Sequence, residues 1–300
     1  MATRHLLQIE GTPKEELEAI LAAAPGHKRT LSEGKTRRVL DGRLVANLFF
    51  EDSTRTRSSF EVAATSLGAR VLNLSGKGSS VSKGETLVDT ARNIDAMGPG
   101  ILVMRHASSG APHLVARHVK ASVVNAGDGT HEHPSQALLD AFTLHERFGA
   151  VKGLRVLIVG DVLHSRVARS NLHCLKALGA QVVFCGPRTL LPSGLEELGA
   201  EVTHALEPAL ASVDAVMLLR MQFERQAQAF VPSSRDFARL YGMNAARAAK
   251  LQPHAVIMHP GPINRGVELA SDVNDAERDV ILAQVTNGVA VRMAILERCG

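Results

Sequence analysis

Eight short apolar runs that alternate with longer stretches of helical character limit this 300-residue chain to one broad class of fold. The runs are LVANLFF from Leu44, VLNL from Val71, ILVM from Ile101, SVVN from Ser122, then LRVLIVG, QVVFC, AVMLL and AVIMH. Strands that are apolar throughout and alternate with helices belong to parallel sheets covered on both faces. Four runs precede residue 130 and four follow residue 150, so the pattern predicts two doubly wound α/β domains. Each is expected to hold a central parallel sheet flanked by helices. The length agrees, because one hydrophobic core rarely keeps growing to this size. The expected domains are residues 1–133 and 134–279. The helix HPSQALLDAFTLHERFG joins them, and a last helix over about 280–300 packs back on the first domain. Leu67, Met97, Phe148 and Leu178 are each followed by glycine, the usual residue just past a helix end. From Phe223 to Asn244, charge and polarity without period predict a long loop.

Aromatic residues make up only 3% of the chain, so aliphatic packing must carry the cores. The net charge of +4 raises the question of a nucleic-acid partner. The lysines and arginines are scattered and lack aromatic company, which argues instead for small anions and against nucleic acid. Several arginines stand at the ends of apolar runs, where a guanidinium fork suits phosphate or carboxylate. Cys174, Cys185 and Cys299 lie far apart without metal-ligand or disulfide spacing, so reduced, structural cysteines and no metal are expected. The opening MATRHLLQIEGTPKEEL lacks a signal-peptide core, and no apolar run reaches about 18 residues. A cytoplasmic protein without membrane contact is the expectation.

The segment EDSTRTRSSFEVAATSLG follows the first strand. Its Phe60, Ala63, Ala64 and Leu67 fall at i, i+3, i+4 and i+7, one face of a helix. That helix begins near Ser53, Thr54, Arg55 and Thr56. There unpaired backbone N–H groups, hydroxyls and arginine converge where an anion, phosphate above all, is favoured. A lone serine at such a place reads as an N-cap and the arginines as a solvated face; two hydroxyls and two arginines within five residues shift the balance. Arg105 ends the third strand, on the side where doubly wound folds bind ligands. His133, Pro134 and Gln136 open a helix after the fourth. GDVLHS follows the fifth strand but lacks the glycines of a dinucleotide loop.

Taken together, STRTR followed by SFE, the VMRH strand end and HPSQ resemble the aspartate and ornithine carbamoyltransferases. The resemblance covers nearly the whole chain, through SKGET, GDGTHEHPSQ, GDVLHSRVARSN, LLRMQFER and HPGPINRG. It implies that Ser53, Thr54, Arg55, Thr56 and Arg105 hold the phosphate of carbamoyl phosphate, with Ser79 and Lys83 reaching in from a neighbouring subunit. Gln136 and the backbone near Pro260, Gly261 and the cis-proline position Pro262 would meet the carbamoyl amine. Gly261 stands where some relatives carry leucine, and Ser82 where some carry a second lysine. Arg105, His133 and Thr56 would stabilise the developing oxyanion, with Arg55 and Lys83 beside them in the reacting centre.

SKGETLVDT with Lys83, Arg166 in GDVLHSRVARSN, and LLRMQFER with Arg220 and Gln222 resemble the aspartate branch, since these groups suit a dicarboxylate. The ornithine branch carries a His-Cys-Leu-Pro segment where this chain has His259, Pro260, Gly261 and Pro262. The activity implied is carbamoyl transfer to L-aspartate in pyrimidine biosynthesis, with neither cofactor nor metal; ornithine is the alternative acceptor. A binding-only relative is disfavoured because the family positions keep their chemistry. A shared site implies a homotrimer, which in the family also joins regulatory chains or dihydroorotase. Phosphate groups in one half and aspartate groups in the other imply closure of the domains on binding.

Overall fold

The computed structural model describes residues 4–75, 84–222, 230–273 and 278–300. It divides into two compact units, Met1–Phe142 with Thr286–Gly300, and Thr143–Val285. The first holds strands β1 (Leu44–Phe49), β2 (Arg70–Ser75), β3 (Ile101–His106) and β4 (Ser122–Asp128), all parallel, in the order β2-β1-β3-β4. The second holds β5 (Arg155–Val159), β6 (Gln181–Cys185), β7 (Glu201–Thr203), β8 (Ala215–Leu218) and β9 (Val256–Met258), again parallel, in the order β7-β6-β5-β8-β9. In both sheets the order reverses beside the first strand, at β1/β3 and at β5/β8. In open α/β sheets, crevices for ligands lie at such switch points, beyond the carboxyl ends of the strands.

The helices are α1 (Lys14–Ser32), α2 (Thr54–Ser66), α3 (Leu87–Asp95), α4 (Ala111–Ala116), α5 (Pro134–Phe148), α6 (Arg166–Ala177), α7 (Leu206–Leu210), α8 (Ser234–Tyr241), α9 (Ala245–Ala248) and α10 (Ile281–Cys299). The division between units falls inside α5 and again inside α10, whose C-terminal part belongs to the first unit. The four glycines expected to stop helices, Gly68, Gly98, Gly149 and Gly179, all have positive φ.

Three elements differ from the sequence expectation. Helix α1 was hidden by its polar surface and by Pro25 in its interior, yet Leu17, Ile20, Leu21 and Ala24 form one buried stripe. Strand β7 has only three residues, too few for a pattern. The stretch expected as a loop to Asn244 contains α8, which Ser233 caps by accepting the Asp236 N–H at 3.0 Å. Its Phe237 is buried against Leu190, Met221 and Val231. A single aromatic anchor with a cap makes a short helix without a long periodic run.

Candidate active site

In the first unit, the site grows from the carboxyl ends of β1, β3 and β4. Ser53 is the N-cap of α2 in extended conformation, and its side chain makes no capping hydrogen bond. The hydroxyl is therefore left for another acceptor or donor, which the plain N-cap reading does not provide for. No acidic residue stands in the first turn of α2 to oppose an anion. Thr56 is buried, while Thr54 and Arg55 are exposed. The helix start is held from below, because Phe60, Ala63, Ala64 and Leu67 are fully buried. Burial of a phenylalanine such as Phe60 contributes about 1.5–3 kcal/mol, so this turn cannot drift without a large loss.

Arg105 pairs in register with Phe49, and its carbonyl accepts the Phe50 N–H at 2.9 Å, so it stands beside the chain that leads into α2. Its Nη2 donates to Glu51 Oε1 at 2.8 Å and its Nη1 reaches the Ala126 carbonyl at 3.4 Å. A guanidinium is thus fixed at the β1/β3 switch point. His133, just before α5, is buried, with Nδ1 at 3.5 Å from Ser135 Oγ. Gln136 in the first turn of α5 donates from Nε2 to Asp140 Oδ1 at 3.0 Å.

The loop ahead of His133 is stiffened by Asp128. Its carboxylate accepts the Gly110 N–H at 2.7 Å, Asn125 Nδ2 at 2.8 Å and the Glu132 N–H at 3.1 Å. His131 Nδ1 lies 3.1 Å from both carboxylate oxygens. Burial alone would raise the Asp128 carboxyl, but the hydrogen bonds from His131, Asn125 and Gly110 outweigh it and hold it below the usual range. The Asp128 bond correspondingly raises His131. Gly129 is required where it is: a Cβ there would lie 2.3 Å from Ser109 Oγ.

In the second unit, the loops after β5, β8 and β9 form a connected chain. Ser165 caps α6 by accepting the Ala168 N–H at 3.2 Å, which sets Arg166, a buried residue, at the first helical position. Asp161 holds the preceding turn through His164 Nδ1 at 2.8 Å and the His164 N–H at 3.1 Å. Gln222 Nε2 donates to the His164 carbonyl at 3.3 Å, and the Leu219 N–H reaches the Val159 carbonyl at 2.8 Å. Arg220 and Gln222 are thereby set beside the loop that leads to Arg166. The segment after β9 joins them through Asn264 Nδ2, which donates to the Met221 carbonyl at 3.3 Å. The Gly261–Pro262 peptide is cis.

Each unit therefore gathers one group of the expected residues. Ser53 to Thr56, Arg105, His133 and Gln136 belong to the first; Arg166, Arg220, Gln222, Gly261 and Pro262 belong to the second. Ser79 and Lys83 lie outside the described residues. Sequence reasoning missed Glu51, the partner of Arg105, although an acid inside an anion-binding segment is itself a signal. It also missed Arg292 of α10, which is 4% exposed and donates from Nη1 to Ser59 Oγ of α2 at 3.0 Å. An arginine within the apolar run VAVRMAIL was the available clue.

Comparison with known proteins gives these residues a family. Residues 4–146 match the carbamoyl-P binding domain of aspartate/ornithine carbamoyltransferase, and residues 152–299 match the Asp/Orn binding domain of the same family. The aspartate carbamoyltransferase catalytic subunit of Myxococcus xanthus is 69% identical over 297 residues, covering 99% of each chain. That of Sorangium cellulosum is 56% identical, covering 98% of this chain and 92% of the relative. Among solved structures, aspartate transcarbamoylase from Trypanosoma cruzi in complex with N-(phosphonacetyl)-L-aspartic acid superposes with a TM-score of 0.92 at 33% identity, covering 99% of this chain and 95% of that one. Ornithine carbamoyltransferase from Pyrococcus furiosus gives 0.88 at 30% identity, covering 98% and 96%.

Proposed function

The chain belongs to the aspartate/ornithine carbamoyltransferase family, and we infer from that premise that it transfers the carbamoyl group of carbamoyl phosphate to the α-amino group of L-aspartate. The products are phosphate and N-carbamoyl-L-aspartate, a precursor of the pyrimidine ring. The observation that carries aspartate over ornithine is the pair Arg166 and Arg220, set with Gln222 in the segments that follow the adjacent strands β5 and β8. Two guanidinium groups suit the two carboxylates of aspartate, whereas the side-chain ammonium of ornithine would be repelled by them.

In this reading Ser53, Thr54, Arg55, Thr56 and Arg105 take the phosphate, with Ser79 and Lys83 supplied by a neighbouring subunit of a homotrimer. The carbonyls of Pro260 and Gly261, with Gln136, accept hydrogen bonds from the carbamoyl amine. The aspartate amine attacks the carbonyl carbon, and negative charge grows on the carbonyl oxygen, where Arg105, His133 and Thr56 donate. Collapse of the tetrahedral species breaks the bond to phosphate, and the departing phosphate takes the amine's proton. Holding two anions at attack distance supplies much of the rate, on the order of 7–11 kcal/mol where orientation is good.

Among the described residues no helix is long and apolar enough to cross a membrane, and a cytoplasmic enzyme is the accompanying proposal. Assembly with regulatory chains or with dihydroorotase would extend the trimer. A phosphate-release assay offering L-aspartate and L-ornithine separately with carbamoyl phosphate tests the reading. Turnover with aspartate alone is expected, and turnover with ornithine alone would overturn it.

A further inference from the structure

One buried pair in the second unit has no part in the reaction as derived above. His259 and Glu268 are each 1% exposed and stand at either end of the segment that contains Pro260, Gly261 and Pro262. The Gly261 N–H donates to His259 Nδ1 at 2.7 Å. Since an N–H can only donate, Nδ1 is the bare nitrogen and Nε2 carries the hydrogen. Nε2–H then donates to Glu268 Oε1 at 3.2 Å, and the Asn264 N–H donates to the same oxygen at 2.8 Å. Gly261 and Asn264 thus hang on one carboxylate oxygen, the first through an imidazole and the second directly. The His259 backbone is itself fixed, its N–H donating to Gln284 Oε1 at 3.0 Å.

The geometry of this link acts on a carbonyl. A trans peptide is planar, with its C=O and N–H pointing in opposite directions. The Pro260 carbonyl and the Gly261 N–H belong to one such plane, so tying the N–H to His259 turns the carbonyl away from the histidine. The next peptide, Gly261–Pro262, has no N–H through which it could be anchored. Its carbonyl takes its direction from the tied plane before it and from Asn264 after it. Glycine at 261 leaves this segment soft unless something outside the loop holds it.

The pair is an expensive way to fill space. Among the described residues Glu268 Oε2 is buried without a hydrogen-bond partner, and a carboxylate in that state is costly where apolar side chains would pack without penalty. We propose that His259 and Glu268 are a positioning pair that aims the Pro260 and Gly261 carbonyls, and so makes the loop a reader of the amine of carbamoyl phosphate. The proposal rests on the reading above that these carbonyls meet that amine. It assigns discrimination against acyl phosphates that carry a methyl group in place of –NH2 to two residues that touch neither substrate.

The test is the ratio of kcat/KM for carbamoyl phosphate to that for acetyl phosphate, each with saturating L-aspartate. The wild type should prefer carbamoyl phosphate. His259→Gln keeps a donor near the Nε2 position but removes the acceptor for the Gly261 N–H, and should lower the ratio about tenfold, the value of one hydrogen bond. Its acetyl phosphate activity should stay within about threefold, because a methyl group makes no bond to lose. His259→Asn places an acceptor near Nδ1 but is too short to reach Glu268, so it should recover only part of the ratio; full recovery would leave Glu268 without a positioning role and overturn the pair. Glu268→Gln is the conservative variant: its amide oxygen can accept both bonds at Oε1, with its nitrogen where Oε2 now has no partner, so the ratio should hold. Parallel loss with both donors in His259→Gln would reduce the pair to a structural support and overturn the proposal. Collapse of the ratio in Glu268→Gln would overturn it too, by showing that charge rather than the two bonds matters. A wild type indifferent to the two donors would instead refute the underlying reading of the carbonyls, and the proposal with it.

Discussion

Replacing Arg292 by methionine asks whether α2, the helix proposed to bind phosphate, is held from behind by a buried charge. Arg292 donates to Ser59 Oγ at 3.0 Å, its guanidinium carbon lies 5.2 Å from the Phe60 ring centroid, and its charge interacts with that of Asp140. Burial, opposed by Asp140 and reinforced by Arg55, pulls the guanidinium down to about 10 from the ordinary 12.5. Burial thus works against its charge, so the residue is not there because arginine suits the interior. Methionine removes that burden and fills much of the volume, but it loses the bond to Ser59 Oγ and the favourable field at Asp140. Losing a charged, buried hydrogen bond costs about 1.5–3 kcal/mol, which corresponds to a fall of roughly 5 °C in the unfolding midpoint. Thermal unfolding followed by circular dichroism should show that fall in Arg292→Met and a substantial recovery in Arg292→Met/Asp140→Asn. The coupling between the two sites should be at least about 2 kcal/mol. Additivity within about 0.5 kcal/mol would refute the reasoning, because neighbours that share a charge interaction cannot be independent.

Arg105→Ala and Thr56→Ala should each raise the barrier by about 3 kcal/mol, or roughly a hundredfold in kcat; a loss of less than tenfold in carbamoylaspartate formation would remove either from the oxyanion set. Arg166→Lys should raise the KM for aspartate at least about tenfold while leaving that for carbamoyl phosphate within about twofold, since an ammonium cannot grip a carboxylate with two parallel bonds. Mixing Lys83→Ala chains with Arg105→Ala chains should restore about a quarter of wild-type activity if each site draws on two subunits of a trimer, and no recovery would exclude a shared site. His131 is raised by Asp128, so its stabilising contribution is fully present below the ordinary imidazole value and is lost as pH rises through its folded value. Asp128 is lowered, so its contribution is lost only as pH falls through its folded value, below the ordinary carboxylate range. The melting difference between wild type and His131→Asn should therefore be about 2–4 °C larger at pH 5.5 than at pH 8.5, and an equal difference at both would contradict the pairing.

Much of this architecture was legible because parallel strands and their helices repeat a signal along the chain. Each of the eight apolar runs identified in the sequence contains a strand, and the glycines after Leu67, Met97, Phe148 and Leu178 do end helices. Helix α8 was missed because one buried Phe237 and a Ser233 cap, without a long periodic run, suffice for eight residues. Within the site, the groups proposed to touch substrate were read from short motifs beside strand ends. The groups that hold those motifs were not. Glu51 looked like part of a polar segment, Arg292 lies 233 residues from the serine it bonds, and Glu268 shows its role only once Oε1 is seen to carry both ends of a loop. Motifs record local chemistry, whereas the restraint on a loop depends on which distant segment the fold brings behind it.

The two units meet the same physical requirement in different ways. On the proposed reading, a loop at each sheet's switch point presents polar groups to a small, highly charged ligand, and so cannot be stabilised by burying its own tip. In the first unit the helix start at Ser53 is restrained from below by Phe60 and from behind by Arg292, a buried cation near Asp140, which in turn orients Gln136. In the second, the Pro260–Asn264 segment is restrained by a buried anion, Glu268, acting through His259. Neither arrangement is what stability alone would select, since buried charges usually lose to apolar packing of equal volume. Each does what apolar packing cannot, because a hydrogen bond fixes the direction of a peptide or a side chain while a methyl group fixes only its distance. Substitutions at these charges should therefore alter substrate discrimination in the second unit and helix stability in the first.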